Sequence, residues 1–138
     1  MLNFSEESVE RADETLLEQS FTADCLALLR ALVESAAAKE GLDGSRLGEF
    51  VLAVDEIACN AVEHAGGGGR LVLRRLDGAL ECLITDTGPG FTPELPRTPP
   101  ELDSTGGRGL WLAHLLTDRL TITTGTTGAA VTLRMYLP

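Results

Sequence analysis

Residues 45–90 read SRLGEFVLAVDEIACNAVEHAGGGGRLVLRRLDGALECLITDTGPG, and the period of their apolar residues changes halfway along. In the first half Leu47, Phe50, Val51, Val54, Ile57, Ala58 and Ala61 recur three and four apart, which predicts a helix from near Ser45. The glycine run 66–69 stops it. Beyond the glycines the period falls to two. Leu71 and Leu73 alternate with Val72 and Arg74, and Leu80, Cys82 and Ile84 share a face. Asp77-Gly78 between the two runs is a hairpin signal. A helix feeding an antiparallel hairpin is the nucleus of a layered α+β domain.

Working outward, residues 14–20 predict a short first strand. Thr22 is placed to cap a helix whose stripe is Cys25, Leu28, Leu29, Leu32 and Ala36, ending at Gly41. After the hairpin, five of the six prolines fall between residues 89 and 100, which excludes a regular element there. A short helix over about 109–117 follows, then strands near 119–124 and 129–137 around Gly125-Thr126-Thr127-Gly128. The expected fold is a two-layer α+β sandwich, with helices on one face of a mainly antiparallel sheet.

Composition narrows the class. A chain of 138 residues with 43% hydrophobic and 23% charged residues is an ordinary globular domain. The longest apolar stretch, Leu26 to Ala38, is broken by Arg30 and Glu34 and falls short of the ~20 residues that span a bilayer. The acidic start, with Glu6, Glu7 and Glu10, does not resemble a signal peptide, so a cytoplasmic protein without a membrane partner is expected. Of the net charge of −10, residues 1–24 carry −6, and so acidic a leading segment argues against direct nucleic-acid binding. Residues 1–21 are expected to form an acidic lead-in containing the first strand, and 22–138 the domain proper. Cys25, Cys59 and Cys82 lack metal-ligand spacing and, with only His64 and His114 beside them, predict free thiols rather than a zinc site.

Three polar constellations stand out. On the second helix Glu56 and Asn60 lie one turn apart on one face, and His64 extends the line. A carboxylate and an amide so stacked suit Mg²⁺ binding and activation of a nucleophile, although a solvated polar strip gives the same spacing. Asp86-Thr87-Gly88-Pro89-Gly90 ends a strand, where an aspartate can accept from an exocyclic amine and glycines let the backbone approach a ring. Gly106-Gly107-Arg108-Gly109-Leu110 opens a helix, leaving backbone amides for phosphate oxygens. Each is weak alone; their fixed order is much more specific.

Taken together these segments resemble the GHKL (Bergerat-fold) ATPases. Glu56 to His64 looks like the N box, Asp86 to Gly90 like the G1 box and Gly106 to Leu110 like the G2 box. Gly107-Arg108-Gly109-Leu110-Trp111-Leu112 is close to the phrase carried by anti-sigma-factor serine/threonine kinases. The resemblance spans roughly residues 22–137. It implies ATP and Mg²⁺ as cofactors, with Asn60 on the metal and Glu56 as the general base. Asp86 would read the adenine amine, and Gly88 and Gly90 would shape the base pocket. The stretch Thr105, Gly106, Gly107, Arg108, Gly109 and Leu110 would meet the phosphates, His64 would border the nucleotide site, and residues 91–105 would form a lid.

By the same resemblance the substrate is a STAS-type anti-anti-sigma protein, the sequestered partner a sigma factor, and the assembly a homodimer. An adapter that binds ATP, or once did, without transferring phosphate is the alternative. A sensor histidine kinase is disfavoured, because no histidine precedes His64 to serve as phosphoacceptor. One departure from the family pattern concerns Gly128-Ala129-Ala130-Val131. Ala130 stands where a threonine hydroxyl is expected near the adenine, and Thr132 is two residues further along the strand.

Overall fold

The computed structural model describes residues 13–64, 67–86, 108–125 and 128–138. Among these residues five strands and three helices follow one another as β1 (Glu14–Thr22), α1 (Leu26–Lys39), α2 (Gly44–His64), β2 (Gly68–Leu76), β3 (Ala79–Thr85), α3 (Arg108–Leu116), β4 (Arg119–Gly125) and β5 (Gly128–Tyr136), with a 3-10 turn at Ala23–Cys25. The strands form one sheet in the order β1-β2-β3-β5-β4, and every neighbouring pair is antiparallel. This is the expected α+β sandwich. The expected first strand exists and extends to Thr22, pairing along β2 with a bulge between Thr15 and Leu17.

The period-two pattern fixes the faces. Leu71, Leu73, Leu80, Cys82, Ile84, Val131, Leu133 and Met135 are buried on the side covered by helices. Phe50, Ala53, Val54, Ile57, Ala58 and Ala61 of α2 close over them, and Phe50 is fully buried. Burying one such side chain is worth roughly 1.5–3 kcal/mol.

The stripe of α1 differs from the expected one. Leu29, Val33 and Ala37 are buried, whereas Leu28 is 59% exposed. Both registers satisfy helical spacing on so apolar a helix. Gly41, at φ 106°, ends this helix, with its N–H donating to the Ala38 carbonyl and that of Leu42 to Ala37.

The start of α2 is pinned to the sheet by a charged clamp. Arg46 Nη2 donates to Asp118 Oδ2 at 2.7 Å and to the Tyr136 carbonyl at 2.9 Å, while the Tyr136 N–H donates to the same carboxylate oxygen at 2.7 Å. Partial burial would raise the Asp118 pKa, but the Tyr136 N–H and the Arg46 guanidinium outweigh it and hold the carboxyl below its usual range. The clamp holds one end of α2; the polar pair Glu56 and Asn60 lies toward the other. Among the described residues no helix is long and apolar enough to cross a membrane.

Candidate active site

Helix α2 turns Ile57, Ala58 and Ala61 into the core, and the same twist carries Glu56 and Asn60 to the edge facing α3. Their closeness to α3 is measured at Gly109. A Cβ added there would lie 3.0 Å from Glu56 Oε2 and 3.2 and 3.3 Å from Asn60 Nδ2 and Oδ1. Glycine at 109 therefore serves close approach rather than an unusual backbone angle. The first turn of α3 rests directly on the carboxylate and the amide.

Beside this contact lies a slot. Its apolar walls are Ile57 and Ala61 from α2, Ile84 and Val131 from the sheet and Leu110 from α3; Asn60 and Asp86 supply its polar groups. Ile84 and Val131 are direct cross-strand partners. Asp86 is 8% exposed, and its N–H donates to the Ala129 carbonyl at 3.0 Å, which fixes the residue just beyond the end of β3. The enclosed space is only about 10 Å³, room for one water, so the slot must widen to take a ring.

The alternation of β5 corrects the expectation at Ala130. Ala129 and Val131 are buried on the helix side, while Ala130 and Thr132 project from the opposite face. A hydroxyl at 130 would point away from the slot, and Thr132 cannot replace it. Ala129 is the residue on the slot side, and it too lacks a hydroxyl.

Glu56 is set apart electrostatically. Burial raises its pKa above the ordinary glutamate value, the negative charges of Asp55 and Glu63 push the same way, and Arg108 pulls against them. Arg108 thus acts on the α2 carboxylate from the first position of α3. Burial raises the Cys59 thiol pKa, reinforced by Asp55, Glu56 and Glu63, which keeps it protonated and unreactive. Burial raises Cys82 as well, and all three cysteines are free thiols.

Glu56, Asn60, Asp86, Arg108, Gly109 and Leu110 are therefore gathered at one edge of the sandwich. Gly88, Gly90, Thr105, Gly106 and Gly107, with the expected lid, lie outside the described residues, as does the side chain of His64. The slot walls Ile57, Ala61, Ile84 and Val131 are apolar residues that the sequence presents only as core. Their signal was present in the helical offset of 57 and 61 from 56 and 60, but it needed the β3–β5 pairing to become a pocket.

The donor set suits a nucleotide. A flat ring with an amine edge matches apolar walls ending in a buried aspartate, and the N-terminus of α3, next to Asn60, offers amides to phosphate. Among the described residues no three His, Cys, Asp or Glu side chains cluster as a metal cage. Mg²⁺ requires none, since it commonly takes one or two protein ligands with phosphate oxygens and waters.

A sandwich of this topology with a polar helix edge, a strand-end aspartate and a glycine-opened helix defines an ATP-binding domain of the GHKL class. The profile of the histidine kinase-like ATPase domain matches residues 20–135, and the chain belongs to that family. Among solved structures it is similar to the RsbU and RsbW domains of Rv1364c from Mycobacterium tuberculosis, with 23% identity and a TM-score of 0.64, over 88% of this chain and 32% of that one. It is also similar to the histidine kinase domain of the blue-light activated histidine kinase EL346 from Erythrobacter litoralis, with 22% identity and a TM-score of 0.53, over 79% and 61% of the chains. The Acinetobacter baumannii histidine kinase AdeS aligns at 12% identity and a TM-score of 0.52, over 88% and 68%. The chain thus spans about a third of the Rv1364c structure. No curated protein sequence matches it significantly.

Proposed function

We propose that the chain is an ATP-dependent serine/threonine protein kinase acting as an anti-sigma factor, with a STAS-type anti-anti-sigma protein as its phosphoryl acceptor. The observation that carries this reading is the contact of Gly109 with both Glu56 and Asn60. It brings the carboxylate assigned as base, the amide assigned to Mg²⁺ and the helix end assigned to phosphate to one point, beside the apolar slot assigned to adenine. The likeness of Gly107–Leu112 to the anti-sigma kinases supports the choice of acceptor. The sigma factor, a second copy of this chain and a cytoplasmic setting complete the proposal.

In this reading Asp86 accepts from the adenine amine, and the amides and guanidinium around residues 107–110 hold the phosphates. Asn60 would hold Mg²⁺, which would supply charge neutralisation to the transferring group. Glu56 takes the proton of the acceptor hydroxyl as its oxygen bonds to the γ-phosphorus. The bond to the β-phosphate bridging oxygen breaks, and ADP leaves. Burial raises the Glu56 pKa, which makes it a stronger base than an exposed carboxylate.

The test is transfer from labelled ATP to a serine or threonine of a STAS protein taken from the same genome. Phosphate on the acceptor supports the kinase. Sequestration of a partner equally well with and without nucleotide, with no acceptor phosphorylated, selects the adapter reading instead. The slot-side Ala129, which offers no hydroxyl to a base, is the observation that favours the adapter.

A further inference from the structure

On the face of the sheet that α1 and α2 leave uncovered, one row of side chains crosses four strands in register. Arg74 of β2 is opposite Glu81 of β3, Glu81 opposite Arg134 of β5, and Arg134 opposite Arg119 of β4. Signs alternate along the row until its last step. Glu81 Oε1 faces Arg74 at 3.7 Å, and its Oε2 accepts from Arg134 Nη2 at 2.8 Å. Arg74 also pairs with Asp13. Arg119 makes no ion pair among the described residues and has another arginine as its cross-strand neighbour. Like charges directly opposite are unfavourable unless something bridges them.

The next row places Thr132 opposite Thr121. Glu81, Arg119, Thr121, Thr132 and Arg134 together line a concavity of about 250 Å³. The Nε–H of Arg134 is buried and donates to nothing among the described residues. Two guanidinium groups and two hydroxyls so converge on a space whose one carboxylate is already engaged.

We infer that this concavity is a docking site for a carboxylate side chain on an acidic segment of a protein partner. Charge decides the occupant. With Glu81 paired to Arg134, one positive charge is left over, that of Arg119, which a single carboxylate balances and bridges to Arg134. A phosphate dianion would bring its second charge up against Glu81. An apolar residue would desolvate the Arg119 guanidinium with nothing to balance its charge. The site is separate from the nucleotide slot, because Thr132 and Val131 point to opposite faces of β5, so it stands whether or not the chain transfers phosphate.

The experiment is fluorescence anisotropy of the full chain with a labelled peptide of alternating glutamate and serine, at ~0.15 M salt so that distant acidic groups are screened. Arg119→Gln, at an exposed position, is expected to weaken binding about tenfold, with unfolding temperature unchanged. Arg70→Gln, which removes an exposed arginine paired with Glu18 on the same face but outside the concavity, should change it less than about twofold. The same peptide with glutamine for glutamate should not bind, and Asn60→Ala should bind as wild type does. Equal affinity of Arg119→Gln and wild type would overturn the site. So would equal losses in Arg119→Gln and Arg70→Gln, which signify a diffuse charge effect, or displacement of the peptide by inorganic phosphate at lower concentration than by free glutamate.

Discussion

Glu56→Gln should lower phosphoryl transfer by ~10²–10⁴ while leaving Mg·ATP binding close to that of the wild type. The substitution keeps the shape of the side chain resting against Gly109 and removes only the basic oxygen. It should also affect stability with a definite sign in the absence of nucleotide. Because burial raises the Glu56 pKa in the folded state, the folded chain holds that proton more tightly than the unfolded one. Stability from this group is then fully present below the unfolded glutamate value and is lost as pH rises through the higher folded value. At neutral pH the ionised carboxylate is a burden, and the neutral amide removes it. Glu56→Gln is therefore expected to unfold at a higher temperature at pH 7, with the difference from wild type shrinking as pH falls. Near-wild-type transfer by this variant contradicts the base assignment, whatever its stability.

Gly109→Val should abolish nucleotide binding and transfer without unfolding the protein. The atoms its Cβ would strike are the ends of Glu56 and Asn60, which can swing aside at little cost to the core. The same movement takes both groups away from the phosphates. Gly109→Ala separates the two effects more finely. Alanine favours a helix over glycine by up to ~1 kcal/mol, so this variant should keep or slightly gain thermal stability. Its affinity for Mg·ATP should nonetheless fall by about tenfold or more, the cost of one misplaced charge-assisted contact. Melting curves beside nucleotide titrations check both variants. Loss of stability and binding in proportion would instead indicate general damage to the fold.

Much of this site was legible before the structure because its residues break local rules. Glu56 and Asn60 are polar in a helix otherwise dominated by apolar residues, and the glycines before α3 are poor helix formers gathered at a helix start. The change of period at the glycine run and Asp77-Gly78 marked α2 and the β2–β3 hairpin, although β2 begins within the glycine run at Gly68. The failures have physical causes as well. On α1 the choice between Leu28 and Val33 as a core residue depends on how the helix is delivered to the sheet, which spacing alone does not encode. The orientation of Ala130 depends on strand register, where an offset of one residue reverses the face. The slot walls and the row Arg74–Glu81–Arg134–Arg119 are made by pairing strands distant in sequence, so no local signal announces them.

The kinase reading rests on Mg·ATP binding by Asn60 and its neighbours. Thermal unfolding of the wild type and of Asn60→Ala, each with ATP alone and with Mg·ATP, tests it most directly. Ligand at a hundredfold over its dissociation constant adds ~2.7 kcal/mol of stability, a shift of several degrees in a domain of this size. A magnesium-dependent rise is expected in the wild type and absent in Asn60→Ala. An unchanged melting temperature at millimolar Mg·ATP, or an equal rise in both proteins, would contradict it.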